Sequence, residues 1–168
     1  METEAGYKFE PIWVSALSLI SLGGLYGTVS AFVADPSYDI FGLVFLLFPV
    51  LVAWIILPMA FKMLKGVPAI QFTDRQLVDN IVGVSVDWEN IEYIGISGSY
   101  KPFLSIDLKD TKKFYSNIQN PVKRVLVKIF FSMASGDVPI NLAFVAGNNE
   151  SILGVAQVYW NKYYGVKD

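Results

Sequence analysis

Two carboxylates, Asp87 and Glu89, flank Trp88, and on an extended segment residues two apart share a face. Paired carboxylates are what general acid–base chemistry would use. The chain has no histidine and no cysteine, so imidazole bases, thiol nucleophiles, Cys/His zinc sites and disulfide frameworks are all excluded. No third group accompanies Asp87 and Glu89. The sequence reads as that of a non-enzyme with no catalytic, metal or cofactor-binding residues.

The second kind of chemistry is charge recognition. Asp74 to Glu92 holds five acidic residues and one basic, whereas Lys101 to Lys128 holds seven basic and two acidic. Lys112, Lys113, Lys123, Arg124 and Lys128 alternate with Phe114, Tyr115 and a run of aliphatic residues. Cationic heads on apolar bodies are the composition of segments that meet anionic membrane surfaces. They are therefore the candidate contacts for membrane or lipid. Nucleic acid is not expected, because residues 66–168 carry ten basic and ten acidic groups and are neutral overall.

These residues must be carried by something, and the first candidate is a membrane hairpin. Pro11 to Ala34 and Ile40 to Phe61 are uncharged apolar runs joined by Asp35-Pro36-Ser37-Tyr38-Asp39. At about 1.5 Å per residue they make helices of roughly 36 and 33 Å, enough to cross a core of about 30 Å. The first run is longer than a signal-peptide core, and Phe32 occupies a position where cleavage after Ala34 would need a small side chain. It is read as a retained span, preceded by a polar tail over 1–10. Lys8, Lys62 and Lys65 flank the spans and the 35–39 loop has no basic residue, which places both termini in the cytoplasm. Tyr7, Trp13 and Tyr38 are expected at the membrane interfaces. Neither span contains an ionisable group of the kind a transport path or proton relay uses. Gly23 and Gly27 form a GxxxG spacing, a candidate helix–helix contact either with the second span or with a second copy of the chain.

After a linker over 62–67, residues 68–168 are expected to form one α+β domain. Ala69 to Thr73, Leu77 to Ile81, Val84 to Trp88 and Tyr93 to Ser97 read as short strands, and Leu104, Ile106 and Leu108 alternate with Ser105, Asp107 and Lys109 as a strand with one outward face. Asn120-Pro121 is a helix start. Val122, Val125, Leu126, Ile129, Phe130 and Met133 then make a broad apolar stripe over a helix at 121–134, with Arg124, Lys128 and Ser132 behind it. Gly136 ends that helix. Val138 to Leu142 reads as an edge strand because of Pro139. Asn148 to Ser151 caps a final helix bearing Ile152, Leu153, Ala156, Tyr159, Trp160 and Tyr163, expected to close the sheet. Trp88 and Ile91 are expected in the core.

The order of these elements, with the segment Val86-Asp87-Trp88-Glu89-Asn90-Ile91, resembles the pleckstrin-homology-like domains of bacterial membrane proteins. It is closest to an uncharacterised family with a two-span N-terminal hairpin. The resemblance implies a small antiparallel β-sandwich or barrel closed by a C-terminal helix. It also implies a membrane-anchored binding or adaptor module at the cytoplasmic face of the bacterial inner membrane. Expected partners are the membrane itself, anionic phospholipid, a membrane or cytoplasmic protein, or a second copy of the chain. The alternative is an accessory subunit or immunity-type inhibitor acting through the hairpin. Two placements of the 121–134 stripe follow: against the anionic leaflet or hairpin, or packed on the domain's own sheet with its lysines solvated.

Overall fold

A computed structural model of the protein describes residues 5–34, 50, 53–54, 56–98 and 102–164. The chain is a mixed α+β molecule and divides into two compact units, residues 10–67 and residues 1–9 with 68–168. In chain order the elements are β1 (Ala5–Tyr7), α1 (Pro11–Ala34), a helical segment α2 over 56–64, β2 (Ile70–Phe72), β3 (Gln76–Asp79), β4 (Val84–Asp87), β5 (Ile91–Ser97) and β6 (Phe103–Leu108). They continue with α3 (Thr111–Asn117), α4 (Pro121–Phe131), β7 (Val138–Asn141) and α5 (Asn149–Tyr164).

In the first unit, α1 covers the residues expected, and among the described residues it is the one helix long and apolar enough to cross a membrane. Ile12, Leu19, Ile20, Tyr26, Val29 and Val33 are all exposed, unlike the side chains of a helix in a soluble core. Ser18 and Ser21 donate their hydroxyls back to the Val14 and Leu17 carbonyls, both at 2.7 Å. The serines are thereby satisfied without water. Of the expected second span, residues 40–49, 51, 52 and 55, including Pro49, lie outside the described residues, as does the 35–39 loop with Tyr38. The described remainder is helical and continues to residue 64, past the expected end at Phe61.

The second unit holds two antiparallel sheets, β1-β2-β3-β4 and β5-β6-β7. Alternation assigns the inner faces: Ile70 and Phe72, Leu77, Val84 and Val86 in the first sheet, and Ile91, Ile94, Leu104, Ile106 and Ile140 in the second, are buried. A 3-10 turn at Trp88–Asn90 carries the chain from β4 into β5. Phe9 bridges Val145, and the Ala146 N–H donates to the Lys8 carbonyl at 2.9 Å, joining the β1 side of one sheet to the chain leaving β7. Strand β7 is at an edge, as Pro139 requires.

Residues 5–7, expected within a polar tail, form a strand. Ala5, Gly6 and Tyr7 pair with Phe72, Gln71 and Ile70, and the Ala69 N–H donates to the Tyr7 carbonyl at 2.7 Å. Residues 10–67 are therefore an insertion between two hydrogen-bonded neighbouring strands. Tyr7 accordingly is not an interfacial anchor of the first span: its ring meets Phe72 edge-on and its hydroxyl lies 3.3 Å from the Ser151 Oγ. The register also places the β3–β4 turn at the same end of the sheet as the insertion, because Tyr7, Ile70, Asp79 and Val84 are successive neighbours across four strands. Asp79 builds that turn, its Oδ1 accepting from the Ile81 N–H at 2.7 Å.

Candidate functional site

The basic residues converge on the connection between β6 and β7, where the chain forms α3 and α4. Helix α3 was not among the expected elements. Asp110 caps it by accepting from the Lys113 N–H at 2.9 Å, and Phe114 is its one buried side chain. Lys113 Nζ lies 2.5 Å from Glu89 Oε1. That hydrogen-bonded ammonium holds the Glu89 carboxyl below its usual range, and the carboxylate raises Lys113 in turn. Glu89 is thus the ion-pair partner of Lys113. Lys112 is exposed.

Helix α4 starts where expected: Asn120 accepts from the Lys123 N–H at 3.1 Å and Pro121 occupies the first turn. It ends at Phe131, three residues earlier than expected, and residues 135–137 cross against β6. There the Ser105 hydroxyl donates to the Ser135 carbonyl at 2.9 Å, and Asp137 Oδ2 accepts from the Leu108 N–H at 2.9 Å. Ser105, expected to face solvent, is consequently buried. Gly136 is required at this crossing: its φ is +83°, and a Cβ there would collide with the Ser105 hydroxyl.

The orientation of α4 bears on the second of the two placements of its stripe, packing on the domain's own sheet. Val127 and Phe131 are the buried residues, Phe131 stacking on Phe114 with centroids 6.4 Å apart. Val122, Val125, Ile129, Phe130 and Met133 are exposed, by 63%, 58%, 52%, 48% and 79%. The stripe does not pack on the domain's own sheet. Two of the cations expected as membrane or lipid contacts are bound to the protein: Lys123 Nζ donates to the Gly83 carbonyl, and Arg124 Nε and Nη2 both donate to the Ile118 carbonyl at 3.1 and 2.8 Å. Lys128 remains exposed.

Trp88 and Ile91 are fully buried, as expected. The Trp88 indole donates to the Thr73 carbonyl at 2.7 Å, and its ring stacks on Phe72 and Tyr159 at 6.3 and 6.1 Å, joining β2, the turn and α5. Beside this core, Ile91, Glu92, Lys109, Trp160, Asn161 and Tyr164 line a shallow depression of 290 Å³. Its one cation is already engaged, since Lys109 Nζ donates to the Glu89 carbonyl at 3.1 Å and lies 4.6 Å from the Tyr164 ring centroid. Among the described residues no cluster of carboxylates could hold a metal ion. In α1, a Cβ at Gly23 or Gly27 would meet nothing within 4 Å, so neither glycine serves a close approach among the described residues.

No family model, curated protein or solved structure matches this chain.

Proposed function

We propose that this protein is a membrane-anchored binding or adaptor module: a pleckstrin-homology-like domain that carries a two-span hairpin inserted in its first loop. The hairpin crosses the bacterial inner membrane and the domain stands at the cytoplasmic face, presenting a surface to lipid or to a protein partner. The observation that carries this reading is the pairing of β1 with β2. Because Tyr7 and Ile70 are cross-strand neighbours, whatever leaves the domain after residue 9 must return to the same place by residue 68. A chain that crosses a bilayer under that constraint crosses an even number of times. The exposed apolar surface of α1 supports one crossing, and the uncharged run from Ile40 to Phe61 supplies the other. A four-stranded and a three-stranded antiparallel sheet followed by a C-terminal helix support the pleckstrin-homology-like reading. Lys8, Lys62 and Lys65 support the cytoplasmic orientation.

The absence of cysteine makes the test direct. In intact cells a membrane-impermeant thiol reagent is expected to label Ser37→Cys and to spare Gln119→Cys, which reacts only after permeabilisation. The reverse pattern would overturn the orientation, and labelling of both in intact cells would overturn the anchoring.

The hairpin-centred alternative, an accessory subunit or immunity-type inhibitor, draws on the open Cβ positions at Gly23 and Gly27. Exchanging residues 11–61 for an unrelated two-span anchor separates the readings. Proteins and lipids that still co-purify in mild detergent belong to the domain, and those lost belong to the hairpin.

A further inference from the structure

Helix α4 is held to the domain by one side and offers the other to its surroundings. At 100° per residue, Val122, Val125, Ile129 and Phe130 occupy an arc of about 140°; Met133 extends it in the turn beyond the helix. Lys123 and Lys128 border that arc on opposite sides. The inward side is fixed by Val127 and Phe131, by Lys123 to the Gly83 carbonyl and by Arg124 to the Ile118 carbonyl. The helix therefore cannot turn its apolar arc inward without breaking those contacts. Five large apolar side chains from one short segment exceed the scattered exposure that ordinary surfaces carry.

Two further observations say what covers this face. Gly83 belongs to the β3–β4 turn, and the strand register puts that turn at the same end of the sheet as the two points where residues 10–67 join. The N-terminal end of α4 is thus fastened at the end of the domain from which the apolar helices leave. The connections there are short: β1 ends at Tyr7 and α1 begins at Pro11, while α2 ends at residue 64 and β2 begins at Ile70. Charge points the same way. Residues 111–136 contain no carboxylate and five cations, of which Lys112 and Lys128 are exposed and make no ion pair among the described residues.

We propose that α4 is an interfacial helix, whose outward apolar face lies at the headgroup–acyl boundary of an anionic bilayer with Lys112 and Lys128 at the headgroups. The inference rests on the proposed anchoring and deepens it. A domain tied at one loop would swing, and a third attachment at α4 fixes its orientation to the membrane.

The test uses the full chain reconstituted into vesicles containing anionic phosphatidylglycerol. An environment-sensitive fluorophore is placed on single cysteines at Leu19, Val125, Ile129 and Gln157, the last an exposed residue of α5. Quenching by spin-labelled lipid is expected at Leu19→Cys, Val125→Cys and Ile129→Cys, in the α4 positions at least about threefold stronger than at Gln157→Cys. In vesicles of phosphatidylcholine alone the α4 signal is expected to fall about twofold; an unchanged signal would overturn the headgroup role of the lysines. Quenching at Leu19→Cys without quenching in α4 overturns this inference and leaves the anchoring intact. Loss of quenching at all positions overturns both. If Val125→Cys and Ile129→Cys are shielded from aqueous iodide yet untouched by the lipid quencher, protein covers the face and lipid does not.

Discussion

Helix α4 opens with Asn120 accepting from the Lys123 N–H, and helix α5 opens with Asn148 accepting from the Glu150 N–H at 2.8 Å. Both then run apolar residues at helical spacing. From there they diverge. Helix α5 buries Ile152 and Ala156 and lays the Tyr159 ring against Phe72 and Trp88 at 5.9 and 6.1 Å. Helix α4 buries Val127 and Phe131, which stand behind its main stripe, and leaves the stripe itself outside. The difference lies in what each helix has to cover. Two sheets meet at the Trp88 turn with aromatic edges open, and α5 closes them. Helix α4 sits in the connection between β6 and β7, where Ser135 and Asp137 already take the outward Ser105 hydroxyl and the Leu108 N–H. Periodicity reveals that a helix has an apolar face, and only the neighbouring elements decide whether that face is used within the domain.

One pair of substitutions sharpens this contrast more than any other, because residue type and replacement are identical on the two helices. Ile152→Ala is expected to cost about 2–5 kcal/mol of domain stability, as truncation in a packed core does. Ile129→Ala is expected to change it by no more than about 0.5 kcal/mol, as at exposed positions. Denaturant unfolding of the detergent-solubilised chain, followed by tryptophan emission, measures both. Equal losses would show that α4 packs its stripe within the domain after all. Next in size is Gly136→Ala, which forces a side chain into the left-handed region and against the Ser105 hydroxyl; about 1–3 kcal/mol is expected from backbone strain of this kind. Asn120→Ala removes the α4 cap and is expected to cost about 1 kcal/mol. A loss near zero would mean that Lys123 and Arg124 alone hold the helix start.

Several elements were legible because local pattern and environment agree. Trp88 with Ile91, the alternation through Ile106, the Asn-Pro start of α4 and the closing helix all follow from side-chain period and capping chemistry. Strand β1 was not legible, since three residues, Ala5-Gly6-Tyr7, carry no alternation and their partner Ile70–Phe72 lies beyond a whole inserted unit. Helix α3 was missed because seven residues with one buried side chain have no stripe to read. The carbonyl partners of Lys123 and Arg124, expected as membrane or lipid contacts, were not legible, because sequence shows charge and not the carbonyls that a fold delivers to it. The cap signal at Asp110, followed three residues later by the Lys113 N–H it binds, was present in the sequence and would have found α3.

The smallest effect concerns the exposed ion pair that helps to hold α3, of which Lys162 with Asp74 at 2.8 Å is the counterpart on α5. Outside the core, Glu89 and Lys113 tie α3 to the Trp88 turn through an exposed pair. The Lys113 hydrogen bond, then its charge, lowers Glu89 from an ordinary 4.5, with weaker help from Tyr163 and Lys109; Lys113 is raised from 10.5 by the same partner. A carboxyl lowered on folding adds stability above its unfolded value, and that stability is lost as pH falls through the folded one. An ammonium raised on folding adds stability below its unfolded value, lost as pH rises through the folded one. The pair therefore contributes fully between pH 4.5 and 10.5 and fades on either side. Because both groups are exposed, the contribution is small and screened by salt. Glu89→Gln is expected to flatten the acid-side decline in stability below pH 4.5 relative to the unsubstituted chain. The gap between the two curves should close at high ionic strength. An unchanged acid slope would mean that α3 is held by Phe114 alone, and the contrast between α4 and α5 would then rest on the exposed face of α4 only.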